Sequence, residues 1–445
     1  MRPAGAAVHS KREQRGWYFY DWANSAFPTS VVTLFFGLHL TGLSRAAAGP
    51  DGYVHLLGLR LAPEAVWSYL ISLSVLTQVI ALPLLGAIAD YGRKKRQLLG
   101  VTAYTGAIAT MLMFFLQGSN YLLGCALFLV ANFAFGGSIV IYNAFLPEIA
   151  GPEERDAVSS NGWGLGYLGG GLLLALNLLL FNRTEALGIS DGVAIRISLA
   201  SAGIWWAVFT VIPLVTLRNR DTGKTLAQGE SYVSAGLRQL RRTLSDVRHY
   251  PHTLLFLLAF LIYNDGIQTV LNLAGQFGGD FLGLSASVLA GAILVAQFVA
   301  LLGALGFKYV AAWMGNKRAV MMSLVIWCFT LVYVYGWVET AADFYLMSAI
   351  VGLVMGGSQA LSRSIFSFLI PPGQEAEYFS LYEISDKGTS WLGPMFYGLA
   401  LQFTGSYRTS IVLLIVFFLI GLALLTKVDV RRGAIAAGNE PPVTG

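Results

Sequence analysis

The chain has 445 residues, of which 56% are hydrophobic and only 12% charged, with 29 lysines and arginines against 24 acids. Soluble domains are about 25% charged, so a water-soluble enzyme or binding module is set aside in favour of apolar helices packed in lipid, which the mean hydropathy of +0.63 also favours. The basic excess does not call for nucleic acid, because the lysines and arginines fall in short bridges between apolar runs.

The two cysteines, Cys125 and Cys328, sit inside apolar runs of different halves, so neither a disulfide framework nor a metal site is expected. Fifty glycines suit close helix approach in a medium that offers no hydrophobic drive for association. The first sixteen residues are polar and basic. The apolar run after them lacks a small-residue cleavage site ahead of a soluble domain, and so reads as a retained first span.

A helix needs about 20 apolar residues to cross a bilayer. On that ruler twelve spans are expected, over 17–43, 64–89, 97–117, 120–146, 158–181, 192–217, 253–275, 286–311, 318–337, 342–369, 378–404 and 408–427. An even count places both termini on one side. That side and its connections hold most of the 29 basic residues, whereas the opposite connections hold Arg45, Arg60, Arg183, Arg196 and Arg408. The positive-inside rule therefore predicts cytoplasmic termini, and a multi-pass protein of the plasma (inner) membrane.

The longest polar connection runs from Arg218 to His252. Within it Val233, Leu237, Leu240, Leu244 and Val247 recur at helical spacing with arginines between them, which predicts a basic amphipathic helix that lies against the inner membrane face or ties the two halves together. It divides the chain into a six-helix lobe (1–217), a linker (218–252), a second six-helix lobe (253–430) and a tail (431–445). The halves echo each other: Gly136-Gly137-Ser138, Pro152 and Ser160 recur at one offset as Gly356-Gly357-Ser358, Pro372 and Ser380. The fold expected is all-α, twelve transmembrane helices in two six-helix pseudo-repeats, with a site between the halves.

The turn between the second and third spans reads GAIADYGRKKRQ. It resembles the corresponding turn of the major facilitator superfamily, in which a glycine and an aspartate precede a basic cluster. The resemblance implies a conformational latch made by Gly86, Asp90, Gly92, Arg93, Lys94 and Lys95, with the aspartate on a neighbouring helix end and the basic residues on the cytoplasmic surface. The spacer between Asp90 and Gly92 is one residue shorter than usual. In the second half Ala312 holds the aspartate position, so a decayed latch is expected there.

Further stretches cover nearly the whole chain: YDWANSAF at Tyr20–Phe27, YNAFLPEIAGPEER at Tyr142–Arg155, GWGLGYLGGG at Gly162–Gly171, YNDGIQT at Tyr263–Thr269, GGSQALSRS at Gly356–Ser364 and LGP at Leu392–Pro394. Together they resemble the Atg22/UMF1 branch of that superfamily, in its compact bacterial form. The resemblance implies a membrane transporter, with eukaryotic members implicated in releasing amino acids from the vacuole. It also implies that span one lines the cavity, which brings in Trp22, Asn24 and Ser25. Gly164, Gly166 and Gly169 match a dinucleotide-binding pattern, but inside an apolar helix they have no strand before them. Gly162, Gly166 and Gly170 read instead as a small face for helix packing.

Charges at bilayer depth cost about 2.5–3.5 kcal/mol even on the lenient insertion scale and so need an explanation. Asp265 lies near the middle of the seventh span, with Asn264 and Gln268 nearby at helical spacing. Asp21 is placed about one turn inside a helix start, where the dipole already favours a carboxylate. Glu148 and the run Glu153–Asp156 read as a solvated loop. The hairpin Gly356–Pro394 carries Arg363, Glu383, Asp386 and Lys387, and an ion pair from Arg363 to a carboxylate across the hairpin is expected, since an unpaired charge there is costly. If two pairs form within this set, one carboxylate is left over. Asp265 is the expected one, and with it a proton-carrying role.

The resulting expectation is a secondary active transporter of a small organic solute working by alternating access, with amino-acid efflux and proton coupling as the favoured form. It is expected to be a monomer in the lipid bilayer, with a small-molecule substrate, no nucleic acid and no cofactor. Zwitterion binding by Arg363 and a carboxylate stays open, as do a sugar, peptide or drug-like substrate and a non-transporting sensor or scaffold. An enzyme is not expected: HExxH, P-loop, CxxC and an ordered Ser/His/Asp set are all missing.

Overall fold

The computed structural model describes residues 10–56, 59–91, 94–220, 234, 238, 247–387, 392–404 and 406–442. Nearly all of these are helical. α1 runs from Lys11 to Ala47 and passes through a π-helical stretch at Phe27–Phe35. Pro28 opens that stretch without an amide donor, and Thr33 Oγ1 donates to the Pro28 carbonyl five residues back. α2 (Val66–Tyr91), α3 (Lys95–Leu112), α4 (Tyr121–Asn143), α5 (Arg155–Phe181) and α6 (Asp191–Thr216) complete the first lobe. α7 (Pro251–Gln276), α8 (Ala286–Met314), α9 (Asn316–Gly336) and α10 (Ala341–Phe368) follow in the second. Starts are marked by local chemistry: Pro251 opens α7, and Thr340 with Asp343 forms a reciprocal capping box at α10.

Among the described residues eleven helices are long and apolar enough to cross a membrane. Of the span expected at 378–404, the described residues are α11a (Glu375–Lys387) and α11b (Leu392–Thr404), with 388–391 outside them; α12 (Tyr407–Lys427) and the short α13 (Val430–Ala436) follow.

The two lobes repeat each other in their packing. In the first, α3 packs on α4 and α6, α1 on α5 and α6, and α2 on α4. Six helices later, α9 packs on α10 and α12, α7 on α11a and α12, and α8 on α10. The contacts between lobes obey the same rule: α2 with α11a matches α8 with α5, and α4 with α11a matches α10 with α5. This is a pseudo-twofold arrangement, built on the echoed glycines. Gly356 lies where a Cβ would strike the α8 backbone at Ala300 and Ala304, and Gly136 lies where one would strike the α2 side chains of Gln78 and Leu82.

The outer surface is apolar, with Leu76, Val101, Phe329, Trp313 and Phe403 exposed. A water-facing surface of that kind would aggregate; lipid accommodates it. The first and last described residues lie at one end of the bundle, called here the terminal face. The opposite face carries the antiparallel pair β1 (Val54–Leu56) and β2 (Leu59–Leu61). The amphipathic helix expected around 233–247 lies almost wholly outside the described residues.

Candidate functional site

Asp21, Arg363 and the residues around them form the central polar cluster between the lobes. α1 begins at Lys11 rather than near residue 17, so Asp21 lies almost three turns inside it, and the helix-dipole explanation for this carboxylate falls away. What holds it is Arg363. Asp21 Oδ2 accepts from both Nη1 and Nη2 of Arg363 at 3.1 Å, and both residues are buried. The arginine therefore pairs across the lobes with Asp21, not across its own hairpin with Glu383 or Asp386. A guanidinium presents five donors in a fixed fork, and the first lobe supplies the acceptors. Nε donates to Ser159 Oγ at 2.9 Å, Nη2 to the Ser159 carbonyl at 2.8 Å, and Nη1 also reaches Asn143 Oδ1 at 3.4 Å. Three aromatic rings of the same lobe enclose the cation, Trp17 at 4.7 Å, Trp163 at 5.2 Å and Tyr142 at 5.7 Å from Arg363 Cζ. Trp17 is itself fixed by stacking on Tyr142 and by donating Nε1–H to the Tyr142 carbonyl.

The hairpin carboxylates have other partners. Glu383 Oε1 accepts from Asn143 Nδ2 at 3.4 Å. Asp386 Oδ1 accepts from Asn264 Nδ2 at 2.6 Å, and Asn264 Oδ1 accepts from Gln359 Nε2 at 2.6 Å. The Lys387 side chain lies outside the described residues. The expected Arg363 pair is thus made with a partner on α1, which spacing along the hairpin could not reveal, while Glu383 and Asp386 accept from amide donors. The pseudo-twofold axis does relate these contacts. Arg363 and Asn143 occupy equivalent positions, as do Glu383 and Trp163, so Arg363 against Trp163 and Asn143 against Glu383 are one contact made twice with different chemistry.

Asp265 sits mid-way along α7 and is 2% exposed. Neither carboxylate oxygen has a hydrogen-bond partner of ordinary geometry among the described residues; the Gly393 amide at the start of α11b is directed at it from the margin of that geometry. Thr269 Oγ1, one turn on, is likewise buried and without a partner among the described residues. Asn24 is buried on α1 with its Nδ2 in the same condition. Gln268 is half-buried. Ser25 faces the glycines of α5, where a Cβ on Gly166 would come within 2.8 Å of its hydroxyl. Gly162, Gly166 and Gly170 all meet α1 in this manner, so the glycine run is a packing face. Trp22 stacks on Trp205 and meets Phe209 edge-on, and Trp205 donates to its carbonyl, which puts Trp22 between α1 and α6 and away from the interlobe cluster.

A second layer lies closer to the terminal face. Asp90 accepts from the backbone amides of Ala376 and Glu377 at 3.1 and 3.0 Å, capping the start of α11a. Gly86, one turn earlier, lets the helices touch: a Cβ there would lie 2.5 Å from the Ala376 carbonyl. Lys95 was expected on the surface with the other basic residues of the turn. It is buried instead, its Nζ at 3.2 Å from Asp90, 2.8 Å from Glu148 and 3.3 Å from Glu375. Three carboxylates around one ammonium explain the burial. Lys94 is exposed, and Gly92 and Arg93 lie outside the described residues.

The expectation of a solvated loop from Glu148 to Asp156 is also corrected. Glu148 joins the Lys95 cluster, and Arg155 is buried, donating Nη1 to the Ser367 carbonyl across the lobes at 3.0 Å and covering the Phe368 ring. In the second half the turn after α8 still reaches α5. Asn316 Nδ2 donates to Asp156 Oδ1 and Lys308 Nζ to Asn161 Oδ1, so a weaker polar contact of reversed polarity stands where the carboxylate cap is missing.

Sequence reasoning missed Trp17, Ser159, Glu375 and Gln359. The signal available was pairing between halves: a buried arginine on α10 needs acceptors and rings, and the helix facing it by symmetry is α5, with α1 behind.

Comparison with known proteins agrees with this architecture. A family model described as "vacuole effluxer Atg22 like" matches residues 9–438. The chain is 30% identical to the uncharacterized MFS-type transporter YxiO of Bacillus subtilis, covering 94% of this chain and 95% of that protein. It is 27% identical to autophagy-related protein 22-1 of Aspergillus niger over 95% of this chain and 89% of that one. Among solved structures, a bacterial homologue of the iron transporter ferroportin in an outward-facing state aligns with a TM-score of 0.68 at 14% identity, covering 94% of this chain and 99% of that one. The proton:xylose symporter XylE aligns with a TM-score of 0.71 at 12% identity, covering 97% of each. At those identities the structural likeness speaks for the fold.

Proposed function

The chain belongs to the Atg22-like family, a branch of the major facilitator superfamily of multi-pass membrane transporters, and from that premise we propose that it is a secondary active transporter that moves a small organic solute by alternating access. Amino-acid efflux across the plasma (inner) membrane is the favoured reading, with both termini cytoplasmic and the protein acting as a monomer in the bilayer. The supporting observation is the character of the interlobe closure. The lobes are tied at the terminal face by contacts that water can replace: the Asp90 cap on α11a, the Lys95 cluster, the Arg155 bond to Ser367 and the Arg363–Asp21 pair. A permanent interface would be dominated by apolar packing; a layer of ion pairs and side-chain-to-backbone bonds suits a gate that opens and closes. With cytoplasmic termini, this conformation is closed to the cytoplasm.

Coupling to protons would run through Asp265. It is a carboxylate buried at the middle of α7 without a full partner among the described residues, and secondary transporters place their sites near mid-membrane between the two repeats. Asn264, Asp386 and Gln359 form the adjoining polar chain. The test is a solute-uptake screen in proteoliposomes with and without a pH gradient, starting with neutral amino acids. Wild-type protein is expected to accumulate at least one of them faster with the gradient, and Asp265→Asn to lose that dependence. Gradient-driven uptake unchanged in Asp265→Asn would remove Asp265 as the carrier, and no uptake of any solute would remove the transport reading.

A further inference from the structure

The hydrogen-bond partners and the cation–π rings of Arg363 among the described residues come from the first lobe. The carboxylate of this pocket is Asp21 on α1, its remaining acceptors are Ser159 and Asn143, and its walls are the rings of Trp17, Trp163 and Tyr142. Arg363 comes from α10 of the other lobe. Gly162 completes the pocket by what it lacks: a Cβ there would lie 2.7 Å from Asp21 Oδ2 and 3.1 Å from Arg363 Nη2. A carboxylate with further acceptors inside an aromatic box is a receptor for an organic cation, since the rings attract positive charge and the carboxylate fixes it.

We propose that this first-lobe box is a binding site for the guanidinium or primary ammonium group of a transported solute, and that Arg363 occupies it as a built-in competitor when the terminal face is closed. The inference rests on the transporter reading above. When the lobes separate at the terminal face, Arg363 must leave with α10, and the box is then open on that side with its charge uncompensated. An uncompensated carboxylate among aromatic rings is costly, so a solute cation that replaces the arginine stabilises the open state. Binding of the solute and release of the lobes are one exchange: the Asp21 carboxylate passes from Arg363 to the solute, and Arg363 passes to water. A ligand can shift a conformational equilibrium only through its different affinity for the two states, and this exchange supplies that difference without any contact to the second lobe.

The test uses the full chain in lipid nanodiscs, with methylguanidinium as probe and the planar, neutral N-methylurea as its isostere. Opening is read from the rate at which a membrane-impermeant maleimide labels Ser367→Cys in a Cys125→Ala, Cys328→Ala background, because Ser367 is buried at the interlobe contact. Methylguanidinium is expected to raise the labelling rate at least several-fold and N-methylurea to leave it unchanged. In Arg363→Lys, whose single ammonium fills the box less completely, the same rise should come at lower probe concentration. In Arg363→Ala methylguanidinium should quench the fluorescence of the box tryptophans, and Asp21→Asn added to that variant should abolish the quench. A labelling rate that methylguanidinium leaves unmoved both with Arg363 in place and in Arg363→Lys overturns the proposal, leaving Arg363 a fixed lock; quenching that survives Asp21→Asn overturns it as well. If neutral amino acids are taken up while methylguanidinium does nothing, the inference fails and the transport reading stands; if the cation opens the gate but no solute moves, the reverse holds.

Discussion

Replacing Asp21 by asparagine keeps the shape of the side chain and removes its charge. In the closed conformation Arg363 is 2% exposed and would be left with neutral acceptors. Removing one partner of a buried ion pair costs about 3–5 kcal/mol. The asparagine carbonyl still accepts a hydrogen bond, which returns about 1 kcal/mol, and the three rings around the cation are unchanged. The closed conformation should therefore lose about 2–4 kcal/mol relative to one in which Arg363 reaches water, a shift of about 30- to 1,000-fold in the equilibrium at 1.36 kcal/mol per tenfold. Spin labels at Arg15 and Arg431, both exposed and at the terminal ends of their lobes, would report it in pulsed dipolar spectroscopy. The wild-type distance distribution should be dominated by the short, closed component, and Asp21→Asn should move most of the population to longer distances. Asp21→Glu keeps the charge and should stay closer to wild type. An Asp21→Asn protein that remains folded by thermal unfolding and retains the wild-type distribution would refute the reasoning, because the ion pair would then contribute nothing to closure.

The other expectations concern the layer nearer the terminal face and the α7–α11b contact. Gly86→Leu places a side chain against the Ala376 backbone; overpacking of this kind costs about 1–3 kcal/mol, and it should open the terminal face in the same spectroscopic assay with no loss of charge. Asp90→Ala removes the cap from α11a and a carboxylate from Lys95 together, so a double-mutant cycle of Asp90→Ala with Lys95→Met should give a coupling of about 0.5–3 kcal/mol in thermal stability, whereas Asp90→Ala with a change at Lys94 should be additive. Gly393→Val would drive a branched side chain into Thr269 beside Asp265, and is expected to impair uptake in proteoliposomes, with partial recovery in Gly393→Val, Thr269→Ala.

Span count, the two-fold repeat and the latch turn were legible in the sequence because each depends on local patterns: hydropathy over about 20 residues, a constant offset between halves, and a glycine one turn from an aspartate. Asp90 lands on α11a because Gly86 and Asp90 share a helix face, which the spacing already says. The partner of Arg363 was not legible. Within the hairpin, Glu383 and Asp386 stand at matching depth on the neighbouring helix, and nothing local favours Asp21, which is distant in sequence and looked explained by a helix start. The true start at Lys11 lies within a polar, basic stretch that hydropathy discounts, so the depth of Asp21 was underestimated. Lys95 and Glu148 were missed for a related reason. Each sits in a charged turn that looks solvated until another lobe's helix end, bearing Glu375, is brought against it. Asp265 stands without a partner of ordinary geometry among the described residues, as the charge count within the set expects, although Arg363 takes its carboxylate from α1 rather than from the hairpin.

The pseudo-twofold axis turns these separate contacts into a statement about asymmetry. Symmetry-equivalent positions carry Asp90 and Ala312, Gly86 and Lys308, Asn143 and Arg363, Trp163 and Glu383. If both halves of the interface were built alike, opening would break two equal sets of bonds. Instead the α2–α11a side holds a carboxylate cap and a buried ammonium, while the α8–α5 side is joined by the Asn316 and Lys308 hydrogen bonds at 3.4 and 3.3 Å. All of these bonds have a charged partner, but most of those of the α2–α11a side are shorter and they include an ammonium shared among three carboxylates, so the α8–α5 side gives way at lower cost and the α2–α11a side holds longer. The Arg363 box joins α10 to α1 and α5, on the weaker side. A lock placed there governs the contact that would otherwise part first, so the buried Arg363–Asp21 pair stands where the repeat has lost its carboxylate cap.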